Sequence, residues 1–353
     1  MPADGNEYTQ TCRTARWDGT WSKDPTVKRY QEFCAGYRGD DNHVYFERLY
    51  FRLPWCVKVH EEIAEMLALP RGAQIEHDLC LAGAFRAGKT RVIREEIKDR
   101  IPIRGKEGLS IPFGYVPMPA VPSPLTVGQA ILYWLGDPTW SSTRNPTTRV
   151  VRIAEVADQV GLRILAIDDL QHLVDSRGQK VQHMTADFLK EVGFYIGVPM
   201  IFCGLERMMR IFEVNEQLAG RTNATIVFRR LDWNRKNDRA LFTKMVELVV
   251  GEIKSHMGSV VEVTPAFVFR MYCATGGIPG YLFRVLRVAV VKCERVRSPL
   301  NERSIQRAAF TVVARRSAWP KGIDPFHQEF PTDASKAILD QVNKIGIGVG
   351  PGT

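Results

Sequence analysis

The stretch "GAFRAGKT" at residues 83 to 90 fits the spacing G-x-x-x-x-G-K-[ST] at Gly83, Gly88, Lys89 and Thr90. The apolar run Leu79-Cys80-Leu81-Ala82 precedes it, and "KTRVIREEIKDRI", apolar at helical spacing, follows. Strand, glycine-rich loop and helix in that order turn backbone N–H groups and the positive end of the helix toward phosphate oxygens. Gly83, Ala84, Phe85, Arg86, Ala87, Gly88, Lys89, Thr90 and Arg91 are therefore the candidate nucleotide cradle. Lys89 would reach the β- and γ-phosphates of ATP, and the Thr90 hydroxyl would bind magnesium. Arg86 is unusual inside such a loop; it either adds a phosphate contact or points to solvent.

A second segment supports the first. "ILAIDD" at 164 to 169 runs four apolar residues into two adjacent carboxylates. A buried strand ordinarily ends in turn residues, so two acids there need a chemical reason. Asp168 is placed to support the magnesium, and Asp169 to orient and deprotonate the attacking water. Phosphoryl transfer also needs a cationic clamp. Arg221, Arg229 and Arg230 flank "RTNATIVFRR", where an adjoining subunit could meet the γ-phosphate, so an arginine supplied in trans would couple hydrolysis to assembly. Arg284, one turn into the helix that follows "TGGIPG", could touch the nucleotide from a lid.

Apolar strands alternate with helices from Leu79 to Trp233, which predicts an α/β fold: a parallel sheet with helices on both faces. After Trp233 the pattern becomes four amphipathic helices, with Thr264-Pro265 and Asn301 as start signals and Gly276-Gly277 as a stop. The expected domains are an N-terminal arm at 1–45, flexible or partner-binding, a nucleotide-binding domain at 46–233, a helical lid at 234–316, and a tail at 317–353, disordered or partner-binding. Trp319 and Phe326 are candidate anchors in that tail.

The 353 residues carry a net charge of +9. Residues 235 to 316 hold 15 Lys and Arg against 6 Asp and Glu, an excess as large as that of the whole chain. Such a balance suits a polyanionic partner. "SSTRNPTTRVVR" (Arg144, Thr147, Arg149, Arg152) and "DSRGQK" (Arg177, Lys180) are candidate DNA-contacting strips. There is no run of 18 apolar residues, which argues against a membrane span, and the N-terminus lacks the apolar core of a secretory signal. Seven scattered cysteines without C-x-x-C spacing argue against disulfides and zinc, and fit a reducing cytoplasm.

The order of phosphate loop, acidic strand end, apolar strand, arginine-bearing strand and helical lid resembles an AAA+ P-loop NTPase. Within that class, "YVPMPAVPSPLTVGQAILYWLGDP", "RILAIDDLQHLVDSRGQKVQHMTADFLKEVGFYIGVPMIFCGLERM" and "EQLAGRTNATIVFRRLDW" resemble the TnsC/TniB family of transposition regulators, over residues 45 to 315. The resemblance implies ATP and Mg2+ as cofactors and assembly on double-stranded DNA, as a hexameric or heptameric ring or a helical filament. It implies a DDE transposase and a TniQ/TnsD-like target selector as partners, in transposons of which some are CRISPR-associated. Lys89, Thr90, Asp168 and Arg221 take the corresponding roles, Arg221 as the trans arginine. Two departures predict slow turnover: Asp169 stands where many AAA+ proteins have Glu, and Cys203-Gly204-Leu205 offers no polar sensor after its strand. The competing expectations are an ATP-bound scaffold with little turnover and a STAND-type signalling ATPase without DNA.

Overall fold

The computed structural model describes residues 9–11, 21–35, 49–70, 77–142, 145–176, 178–314, 324–328, 330 and 335–343. A short strand β1 (Thr9–Thr11) pairs antiparallel with β2 (Leu49–Phe51). Between them lies helix α1 (Pro25–Ala35), and after them α2 (Pro54–Ala68). The nucleotide-binding unit follows as β3 (Asp78–Gly83), α3 (Lys89–Lys98), the hairpin β4 (Ile103–Gly105) and β5 (Gly108–Ser110), β6 (Phe113–Pro117), α4 (Pro124–Trp134) and α5 (Pro146–Gln159). Then come β7 (Ile164–Asp168), α6 (Gln171–Asp175), α7 (Gln179–Ile196), β8 (Met200–Gly204), α8 (Arg210–Val214), α9 (Glu216–Gly220) and β9 (Thr222–Phe228).

The five longer strands form one sheet in the order β6-β7-β8-β3-β9, every pair parallel. β3, β7 and β8 are buried along their whole length. A parallel strand covered on both faces has no polar side, which is why these segments read as continuous apolar runs. The chain leaves β3 in one direction across the sheet and returns through β7, β8 and β9 in the other. Right-handed crossovers therefore place α3 on one face and α4, α5 and α7 on the opposite face. The loop after β3 and the acids after β7 meet at the C-terminal edge, with the end of β8 between them.

The lid consists of α10 (Lys236–Met257), α11 (Pro265–Thr275), α12 (Pro279–Arg295) and α13 (Glu302–Ala309). Thr264 and Asn301 accept backbone N–H bonds from Phe267 and Ser304, capping α11 and α13. Trp233, at the domain junction, packs against Phe269 and Tyr272 with ring centroids 5.0 and 4.9 Å away.

Several expectations are corrected. Part of the N-terminal arm belongs to the core: Tyr30 of α1 is fully buried, its hydroxyl accepts the Tyr115 N–H at 3.1 Å, and Phe33 stacks on Tyr115 at 3.8 Å. Apolar residues at helical spacing made that burial possible. Part of the tail also folds back. α14 (Lys336–Val342) packs against α11, and Arg230 donates to the Val342 carbonyl at 3.1 Å. Phe326 is partly buried against the core, whereas Trp319 lies outside the described residues. Between β8 and β9 the chain is helical in short pieces: a 3-10 turn at Glu206–Met209 precedes α8, and Asn215 then caps α9 by accepting the Leu218 N–H at 3.0 Å. The six described cysteines are buried free thiols, and among the described residues no helix is long and apolar enough to cross a membrane.

Candidate active site

The phosphate loop begins where β3 leaves the sheet and ends at Gly88, whose left-handed backbone (φ 105°) lets α3 start at Lys89. The Lys89 Nζ donates to the Gly83 and Ala84 carbonyls, both at 2.8 Å. Burial holds this ammonium below its ordinary value, and the neighbouring Asp168 and Asp169 carboxylates act the other way. Arg86 adopts φ 63°, and its carbonyl accepts the N–H of Gly280 at the start of α12, at 3.0 Å. Its guanidinium lies 4.9 Å from the Phe85 ring and 5.8 Å from the Tyr281 ring. This loop residue thus joins the phosphate cradle to the lid. Arg91 pairs with Glu95 at 2.8 Å.

Asp168 is buried at the end of β7. Its Oδ2 accepts from Thr90 Oγ1 at 2.7 Å and from the Tyr115 hydroxyl at 3.2 Å, and its Oδ1 accepts the Asp169 N–H at 2.8 Å. Burial, then the adjacent Asp168 charge, pushes the Tyr115 phenol up, so it remains a donor. A hydroxyl oxygen and a carboxylate oxygen this close form a hard, anionic pair. Such oxygens are the donors that a hard divalent cation takes, and Thr90 and Asp168 are the residues that would hold one. Asp169 is exposed and left-handed (φ 58°); its carboxylate accepts from Gln171 Nε2 at 2.9 Å.

A cavity of about 440 Å³ opens between the sheet edge and the lid. Phe85, Gly88, Lys89, Thr90, Asp168 and Asp169 line it together with the apolar Leu49, Phe51, Met245 and Phe283. Arg284 and Arg287 line it from α12. A wall of this kind, mainly apolar with a few polar and charged groups, is that of a small-molecule site.

The other sequence candidates separate on their side-chain partners. Arg221 sits at the N-terminal edge of the sheet, where its Nε donates to the buried Asp78 at 2.9 Å. Arg229 pairs with Asp238, and Arg230 donates to the Gly276 and Val342 carbonyls. All three are therefore engaged within their own chain.

The DNA strip is corrected at one position. Arg149 is fully buried, donating to the Leu125 carbonyl at 2.5 Å, and so cannot reach a phosphate. Arg152 pairs with Asp137 at 2.9 and 3.1 Å and is partly exposed. Thr147 and Lys180 are exposed, while Arg144 and Arg177 lie outside the described residues.

Sequence reasoning missed Tyr115, Gln171, Arg287 and the apolar lining of the cavity. Gln171 had a local signal, an amide two residues after the acidic pair, and Arg287 stands one turn after Arg284. Tyr115 and the apolar lining are distant in sequence and join the site only through the fold.

The family model described as "Bacterial TniB protein" matches residues 50–231. No curated protein sequence matches the chain. Among solved structures, the chain is similar to the ORC2 protein of Aeropyrum pernix in ADPNP-ADP complexes (TM-score 0.54, 14% identity, 82% of this chain and 72% of that one). It is similar also to the ORC1 protein of the same organism in complex with DNA (TM-score 0.53, 15% identity, 74% of this chain and 65% of that one). At such identity the likeness concerns the fold, which is that of AAA+ P-loop ATPases.

Proposed function

The chain belongs to the bacterial TniB family of transposition-associated P-loop ATPases, and from that premise we propose that it is an ATP-dependent switch that assembles on double-stranded DNA. In this reading ATP seats in the cavity under the lid, with the chain oligomerised as a ring or filament. The assembly joins a TniQ/TnsD-like target selector to a DDE transposase, and hydrolysis times its release. The observation that carries the reading is the meeting of Lys89, Thr90, Asp168 and Asp169 on one cavity that the lid arginines Arg284 and Arg287 also line.

Thr90 and Asp168 would hold the magnesium, whose chemistry is to neutralise charge on the phosphate oxygens. Lys89 exchanges a loop carbonyl for a phosphate oxygen. Asp169 orients the attacking water and accepts its proton. Its side chain is one methylene shorter than glutamate, which favours slow turnover. Arg284 and Arg287 report the phosphate state to the lid, and the contact from Gly280 to Arg86 carries that state to the loop.

DNA is expected at the C-terminal edge of the sheet. α5 and α7 pack together and both run back toward a parallel strand, so their N-termini, with Thr147 and Lys180, emerge at one edge. Contacts there are to phosphates and are sequence-independent. Lys180→Ala should reduce the salt dependence of DNA affinity by about one unit of the logarithmic slope; an unchanged slope excludes Lys180 from the contact.

Negative-stain microscopy with linear duplex DNA tests the function as a whole. Rings or filaments should form with ATP or a non-hydrolysable analogue, and fail with ADP or with Lys89→Ala. Particles indifferent to DNA and nucleotide would refute the reading.

A further inference from the structure

The end of β8 projects between the phosphate loop and the acids of β7, yet Cys203-Gly204-Leu205 brings no polar side chain to that position. The structure fills it from a different element. The Gln171 side chain, at the start of α6 and 7% exposed, lies over Gly204: its Oε1 accepts the Leu205 N–H at 3.1 Å, and its Nε2 donates to Asp169 Oδ1 at 2.9 Å. A Cβ added at Gly204 would stand 2.6 Å from that Oε1. The glycine is therefore the space in which the amide lies, and a larger residue at the strand end and Gln171 exclude one another.

The orientation of the amide is determined by its two partners. An N–H faces the oxygen and a carboxylate faces the NH2; the flipped amide would meet donor with donor and acceptor with acceptor. The turn beneath it is stitched as well, since Leu170 N–H donates to the Cys203 carbonyl at 3.0 Å and His172 N–H to the Asp169 carbonyl at 3.0 Å. Asp169 itself holds a left-handed backbone conformation (φ 58°), uncommon among non-glycine residues although aspartate adopts it more readily than most. Gln171 joins the Asp169 carboxylate directly to the end of β8.

We propose that Gln171 is the positioning residue of the hydrolytic site: it bridges the Asp169 carboxylate to the end of β8 and supplies the polar contact that β8 lacks. The proposal rests on the reading of Asp169 as the water-orienting group. A carboxylate two bonds from its backbone swings through a wide arc, and the amide restricts that arc on the face toward the phosphate loop. A shift of the strand end, which lines the same cavity through Gly204 and Leu205, is passed to Asp169 through one side chain.

The test uses the full-length protein with duplex DNA. Gln171→Glu keeps the shape and the acceptor for Leu205 but sets a carboxylate against Asp169. Gln171→Met keeps the length and removes both hydrogen bonds without adding charge. The measurements are kcat and KM for ATP, the affinity for a fluorescent non-hydrolysable ATP analogue, the melting temperature, and the same set for Asp169→Asn alone and with Gln171→Met. The expected result is a fall in kcat of about 10- to 100-fold for both Gln171 variants, with analogue affinity and melting temperature near the parent values. The double variant should be no slower than Asp169→Asn.

A parent-like kcat in Gln171→Met overturns the proposal. So does a loss of analogue affinity or melting temperature that accounts for the fall in kcat, because Gln171 would then hold only the fold. If Asp169→Asn alone leaves kcat unchanged, the reading of Asp169 has failed. If Asp169→Asn is slow and Gln171→Met is not, the positioning role alone has failed.

Discussion

Replacing Arg221 by alanine separates a structural arginine from one offered to an adjoining subunit. In the structure its guanidinium is directed at Asp78, which is completely buried at the start of β3. Arg221 Nε lies 2.9 Å from Oδ2 and Nη2 3.5 Å from Oδ1, while the Met200 N–H donates to Oδ1 at 2.8 Å. Arg221→Ala removes this guanidinium from beside the buried carboxylate. Breaking a buried pair in this way costs about 3–5 kcal/mol. Arg221 keeps 17% of its side chain exposed, so water screens part of the loss, and about 3 kcal/mol is the working figure. With an unfolding entropy of about 2.1 cal/mol/K per residue, a chain of 353 residues moves its melting temperature by about 1.3 °C for each kcal/mol, which gives a fall of roughly 4 °C. Thermal melts of the full chain measure it. Asp78→Asn combined with Arg221→Ala should recover much of the fall, because the buried charge has gone while an acceptor for Met200 remains. An Arg221→Ala protein that melts within about 2 °C of the parent and yet loses DNA-stimulated hydrolysis would refute this reasoning and give Arg221 the trans role.

Gly280→Ala puts a Cβ 2.5 Å from the Arg86 carbonyl oxygen, so the lid cannot seat on the loop. Affinity for a fluorescent ATP analogue should fall about 10-fold, or 1.4 kcal/mol, and an unchanged affinity would mean that this contact is not used. Tyr115→Phe removes a donor to Asp168 Oδ2 and should raise the magnesium concentration needed for half-maximal hydrolysis by about 10-fold; a magnesium titration of ATPase activity decides it. Arg149→Met removes a buried guanidinium whose Nε and Nη2 have no hydrogen-bond partner among the described residues. Replacing such a charge with an apolar side chain of similar length should leave the melting temperature equal or higher, with DNA affinity unchanged. A marked drop in melting temperature would show that the bond to the Leu125 carbonyl outweighs the cost of burying the charge, and a drop in DNA affinity would show a DNA contact.

Residues contiguous in the chain were legible before any fold was known. The phosphate loop, the acidic pair at 168–169 and the lid start at Thr264-Pro265 each carry their signal within a few positions. The chemistry there depends on backbone geometry that local sequence dictates. α1 was harder: its apolar positions are legible, but its mean hydropathy is low, and the burial of Tyr30 and the stacking of Phe33 on Tyr115 show that it belongs to the core.

What the sequence by itself determined is the class of machine, a P-loop ATPase with a parallel sheet and a helical lid. Strand periodicity, loop spacing and helix caps are short-range properties, and each was visible where it occurred. Only the tertiary structure decided which charges are free to act. Arg149, Arg152, Arg221 and Arg229 read alike as basic residues near plausible sites, yet one is buried and three are paired with Asp137, Asp78 and Asp238. The Gln171 bridge is of the same kind, because its meaning depends on a glycine 33 positions away leaving room for it. A charge or an amide acts through whatever lies within a few ångströms, and for these residues the neighbours come from distant parts of the chain.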